Sequence, residues 1–153
     1  MNLYTPGLQN FVAALIPMIL GMVWFHPKAF GNAWMKGANV NPDDGKATNM
    51  PLLMGIGFVM ALVISCFLKS YAIYHDGTPA DATFAHGAFH GVMLCLMLGI
   101  PVLVSATIWE KKSLSYYLIN ISYWVVVFAL MGGLMFAWRS GYAEIAASMN
   151  AGG

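Results

Sequence analysis

Residues 84–108 read FAHGAFHGVMLCLMLGIPVLVSATI, and this stretch decides the fold. It holds no Asp, Glu, Lys or Arg, and it exceeds the ~20 residues that a helix rising ~1.5 Å per residue needs to cover a ~30 Å hydrocarbon layer. Three further stretches, about 6–25, 50–69 and 114–138, have the same character. None carries a charged side chain in its interior, and Lys69 closes the second with an amine that can reach the headgroups. The expectation is an all-α membrane protein, four transmembrane helices in one antiparallel bundle that occupies the whole chain, residues 1–153.

Composition agrees. The chain is 59% hydrophobic and 8% charged, whereas soluble domains carry about 25% charged residues. A formal net charge of +1 without a basic run leaves no electrostatic footprint for nucleic acid. The expected surroundings are therefore the lipid bilayer and other polypeptides within it. Cys66 and Cys95 both fall inside spans, where free cysteine acts as a small hydrophobe. Met1 to Leu8 has no Lys or Arg for a signal-peptide n-region, so the first span is expected to be retained.

The boundaries carry their own chemistry. Thr5-Pro6 reads as a cap followed by a first-turn proline, Pro17 as a kink, and Trp24-Phe25-His26-Pro27 as an aromatic belt and a stop. Residues 27–36 place Phe30, Ala33 and Trp34 on one face, as in a short interfacial helix, and residues 37–45 read as a loop. The second span begins near Thr48-Asn49-Met50-Pro51. Thr78-Pro79-Ala80-Asp81 resembles a capping box for the third, Pro101 predicts a kink within it, and Ser113 caps the fourth. The tail, about 143–153, reads as flexible. Lys28, Lys36, Lys46, Lys111 and Lys112 lie in the first and third loops, against Lys69 and Arg139 on the other side. Cytoplasmic loops hold the lysine and arginine excess, so both termini are expected on the outer side.

Several constellations are candidates for chemistry. His86 and His90, four apart, share a helix face with Met93 and then Met97. Imidazole and thioether ligands suit borderline and soft metals, and polar groups inside a span default to functional candidates. The plainer explanation is a pair of hydrogen-bonded histidines beside packing methionines. Gly87 and Gly91 form a small-xxx-small face that lets helices approach closely, and Gly132 and Gly133 offer a matching surface. Met18/Met22, Met50/Met54, Met93/Met97 and Met131/Met135 place one pair at spacing four on every span. His75, Asp76, Asp81 and His86 make a weaker hard-ligand set, with a solvated turn as its ordinary reading. Glu110 pairs with a nearby lysine, and Asn120 and Tyr123 read as hydrogen-bonding glue between helices. No Ser-His-Asp order, P-loop or dinucleotide glycine pattern is present, so an enzyme is not expected and no cofactor is specified.

Three groups of residues carry a resemblance: Trp24-Phe25-His26-Pro27 with residues 30–36; Phe84-Ala85-His86-Gly87 with Gly91; and Glu110-Lys111-Lys112-Ser113-Leu114 leading through Asn120 and Tyr123 to Met131-Gly132 and Trp138. In this order they resemble a family of small bacterial four-helix membrane proteins catalogued only as a domain of unknown function. The resemblance implies a bacterial inner-membrane setting and brings no catalytic residue with it. It places Trp34, Lys36, His86, Gly87, Gly91, Glu110, Asn120 and Tyr123 in a shared pattern. Phe25-His26 departs from that pattern, and His90 stands outside it.

The functional expectation is a non-enzymatic membrane protein that packs with itself or serves a larger complex as an accessory subunit. The alternative is binding or transport of a metal ion or proton along the third helix, using His86, His90 and Met93.

Overall fold

The computed structural model describes residues 6–41, 49–75 and 81–138, and every regular element among them is helical. These elements are α1 (Leu8–Trp24), α2 (Asn32–Ala38), α3 (Met50–Tyr74), α4 (Phe84–Leu94), α5 (Ile100–Thr107) and α6 (Leu114–Ala137). Three helices, Met50–Tyr74, Phe84–Glu110 and Leu114–Ala137, are long and apolar enough to cross a membrane. A fourth joins them if Leu8–Trp24 and Pro27–Ala38, bent by 53°, count as one span.

Capping side chains explain where the helices start. Asn49 Oδ1 accepts from the Leu52 N–H (3.2 Å), and Ser113 Oγ accepts from the Tyr116 N–H (3.3 Å). Both caps satisfy an N–H that the first turn leaves without a helical partner. The third long helix is capped by Thr83, whose Oγ1 accepts from the His86 N–H at 3.2 Å. That places its start after the expected Thr78-Pro79-Ala80-Asp81 box, of which only Asp81 is described. At the first helix Gly7 is the cap, and its N–H donates to Asn10 Oδ1 at 3.0 Å. Thr5, Lys46, Thr48, Asp76, Arg139, residues 42–45 of the expected loop and the 143–153 tail lie outside the described residues.

Two expected boundaries need correction. Lys69 is not a boundary: α3 continues five residues further to Tyr74, and Lys69 lies inside it, 3% exposed. At Pro101, where a kink is expected, the chain stays helical. The proline's missing N–H and its ring would disrupt the turn at Met97, and the chain widens that turn instead: Cys95–Gly99 is a π turn in which the Ile100 N–H reaches back to the Cys95 carbonyl. In the segment after α1, Phe30 and Ala33 are exposed and Gly31, Gly37 and Ala38 are buried. Gly37 and Ala38 also close α2 rather than opening the loop, and Asn39 ends it in the left-handed conformation (φ 56°).

The core forms where α1, α3, α4 and α6 meet. Ala13, Leu68, Ala72, Val127, Met131, Met135 and Phe136 are almost fully buried there. Polar groups cross the helix contacts as well. Asn10 Nδ2 donates to Ser65 Oγ (3.3 Å), Trp24 Nε1 to the Ile119 carbonyl (3.3 Å) and Tyr123 Oη to the Pro17 carbonyl (2.6 Å). At the other end of α1, the Ser113 N–H donates to the Gly37 carbonyl (3.0 Å) and Lys112 Nζ to the Ala38 carbonyl (2.7 Å). These two bonds dock α2 on the start of α6.

Candidate functional site

Three of the four glycines expected at helix contacts, Gly87, Gly91 and Gly132, come together within the chain, and Gly133 lies against Phe84. A Cβ on Gly87 would collide with the Gly132 carbonyl and lie 2.5 Å from Phe136 Cβ; one on Gly91 would strike the Phe128 carbonyl. One on Gly132 would come within 3.2 Å of Gly91 backbone atoms, and one on Gly133 within 2.7 Å of the Phe84 ring. Glycine is required at Gly87, Gly91 and Gly132 because the α4 and α6 backbones are nearly in contact there. The thin surfaces are thus spent on folding and are not open to a second chain.

This contact sets the position of the histidines. Closing α4 on α6 brings Phe136, 1% exposed, beneath the first two turns of α4. The Thr83 cap holds the backbone of His86, and His75 ends α3 with its N–H bonded to the Tyr71 carbonyl (2.9 Å). The three imidazoles surround Phe136 at nearly equal centroid distances: 5.6 Å for His75 and 5.5 Å for both His86 and His90.

Their nitrogens converge. His86 Nε2 lies 3.2 Å from His75 Nε2 and 3.0 Å from His90 Nε2, and one ligand atom from each residue falls within 4.8 Å of the others. A neutral imidazole nitrogen carries either one proton or one in-plane lone pair. His86 Nε2 therefore cannot make a good hydrogen bond to both neighbours at once. A cation resolves the conflict, because three nitrogens bound ~2.0–2.1 Å from a tetrahedral ion stand ~3.3 Å apart. On the far side of its ring, His90 Nδ1 lies 3.2 Å from the Tyr71 hydroxyl. Ligating histidines usually have such a partner on the second nitrogen, fixing tautomer and ring orientation.

The expected ligand pair His86 and His90 is thus brought together, with His75 as third member. Met93 stands one turn beyond His90 and is half-buried. The hard-ligand set drawn around His75 and His86 placed His75 with acids instead of with His90. Tyr71 and His75 share a face at spacing four, but that signal is hidden if the helix is ended at Lys69. Of the shared pattern, His86 lies in the cluster and Gly87 and Gly91 lie on the helix contact beside it; the other members lie elsewhere. Trp34 packs on Phe25 and Tyr116 (5.5 and 5.9 Å between centroids), and its buried indole N–H has no hydrogen-bond partner among the described residues. Lys36 is exposed, and Glu110 lies 3.9 Å from Lys112 on an exposed turn. Tyr123 does join two helices through Pro17, whereas Asn120 Nδ2 donates within its own helix to the Tyr116 carbonyl (2.7 Å).

Fold and site together define an all-helical protein, with three or four helices long and apolar enough for a bilayer and an imidazole cluster at the ends of two of them. The chain belongs to the family described as Protein of unknown function (DUF1761), whose sequence profile matches residues 8–136. No curated protein and no solved structure matches it.

Proposed function

We propose that the protein is a membrane bundle of four antiparallel spans that holds a transition-metal ion between His75, His86 and His90. The observation that carries this reading is the meeting of three Nε2 atoms, two contacts of which share His86. Imidazole donors favour zinc, copper, nickel or iron over calcium and magnesium. Three protein ligands leave a fourth position for water or an exchanging ligand. A proton wire fits less well: passing a proton through an imidazole uses both ring nitrogens, whereas His86 meets both neighbours with the same one.

The topology supports an outer location for the ion. Lys28, Lys36, Lys111 and Lys112 gather where α2 meets the start of α6, the end away from the histidines. The positive-inside rule assigns that end to the cytoplasm. The histidines and both termini then face outward, in a bacterial inner membrane. Self-association or an accessory role loses its main carriers, since the four glycines are occupied within the chain.

Metal analysis of the protein, extracted in mild detergent without chelators and then titrated with Zn(II) and Cu(II), tests the reading. One tightly held ion per chain is expected, and His75→Ala, His86→Ala or His90→Ala abolishes it. Wild-type protein that takes up neither ion, or variants that bind like wild type, would overturn it.

A further inference from the structure

Two of the methionine pairs meet in space. Met18 and Met22 on α1 and Met50 and Met54 on α3 line one cavity of about 500 Å³, together with Met60 and the ring of Tyr123. Five of the chain's 12 methionines surround this single space, so it concentrates thioether sulfur far beyond the chain's average. The rest of its wall is glycine, alanine, proline and aromatic ring. The Tyr123 hydroxyl is already committed to the Pro17 carbonyl at 2.6 Å. Sulfur is therefore the ligand on offer.

Thioethers are neutral, soft and never protonated near neutral pH. They select soft d¹⁰ ions such as Cu(I) over Zn(II) or Mg(II). A monovalent ion also has a smaller desolvation cost than a divalent one when its ligands carry no compensating charge. The long unbranched methionine side chain adjusts to an ion without moving the helices. Met22, Met50, Met54 and Met60 are about half exposed, so the cavity opens on the outside of the bundle. The cavity lies toward the start of α3, and Met54 and His75 are 21 residues apart on that helix and its cap, ~30 Å at the α-helical rise.

We propose that the methionine-lined cavity is a second metal site that binds Cu(I), independent of the imidazole cluster. It is expected to bind whether or not the histidines hold an ion.

The test uses the full chain in detergent with His75→Ala, His86→Ala and His90→Ala combined, titrated anaerobically with Cu(I) against a chromophoric copper(I) chelator. About one Cu(I) per chain should be retained, and copper-edge X-ray absorption should report sulfur ligands. Adding Met18→Leu and Met54→Leu, which conserve volume, should weaken binding about tenfold or more. Met97→Leu, on another helix and 65% exposed, should change nothing. If the double variant fails to fold, Met22→Leu and Met50→Leu singly give the same comparison. Absence of Cu(I) binding in the histidine-free protein, binding unchanged by the Met→Leu substitutions, or equal affinity for Zn(II) would overturn the proposal. Zinc uptake by the wild-type chain reads the imidazole site separately, so failure of one site is distinguishable from failure of the other.

Discussion

The Tyr71 hydroxyl stands 3.2 Å from His90 Nδ1, across the imidazole from the Nε2 that meets His86. Tyr71 therefore touches the cluster without contributing a ligand, and its ring also stacks on His75 at 5.7 Å. Tyr71→Phe keeps the stacking surface and deletes the oxygen. Zinc affinity, measured by chelator competition, is expected to fall about 10–100-fold with the helices intact by circular dichroism. An unchanged affinity would reduce Tyr71 to packing.

Gly87 is a point at which α4 has no room for a side chain. Gly87→Ala drives a methyl into the Gly132 carbonyl and Phe136, at an expected cost of about 1–3 kcal/mol from overpacking. Thermal unfolding in micelles reads this directly. Gly55→Ala is the control: a Cβ there meets nothing within 4 Å, so the better helix former should leave the midpoint unchanged or raise it.

Tyr123→Phe removes the one hydrogen bond between that side chain and the Pro17 carbonyl. Hydrogen bonds between membrane helices average about 0.6 kcal/mol, with a maximum near 1.7, and the loss should fall in that range on detergent unfolding. A larger loss would mean that the aromatic packing of Tyr123 on Trp24 and Phe25 is disturbed too.

Lys112 and Glu110 should separate cleanly. Their 3.9 Å contact is on the surface, with Glu110 half exposed, so Glu110→Gln should change stability by less than about 1 kcal/mol. Lys112→Met also deletes the 2.7 Å bond to the Ala38 carbonyl, a charged donor on a backbone acceptor worth about 1.5–3 kcal/mol when well shielded. Hydrogen exchange across residues 32–38 should accelerate in Lys112→Met and not in Glu110→Gln.

The helices were legible because hydropathy, caps and stops report on the chain locally. Asn49 and Ser113 cap where their side chains indicate, and Trp138 closes α6 one residue past its last helical position. Lys69 misled because a cation in an apolar run ordinarily marks an interface, whereas here the folded chain buries it. Two of the three imidazoles were visible as a pair, since His86 and His90 share a helix and their spacing is a local property. His75 reaches them because α3 and α4 both pack against α6, with Phe136 between the three rings, and no local pattern encodes that. The glycines were readable as contact points, but their partners depended on which helices lie side by side. The expected orientation puts Met18/Met22 and Met50/Met54 at the same depth, but only packing shows that they gather around one cavity while Met131 and Met135 enter the core.

The widened turn at Cys95–Gly99 resets the angular phase of its helix. One added residue rotates everything downstream by about 100° relative to an uninterrupted wheel. Positions from Val102 onward that a projection would stack above His86 and His90 therefore face a different neighbour. A tryptophan scan along residues 84–107 should show two periodic tolerance patterns out of step with each other, with the break at Gly99.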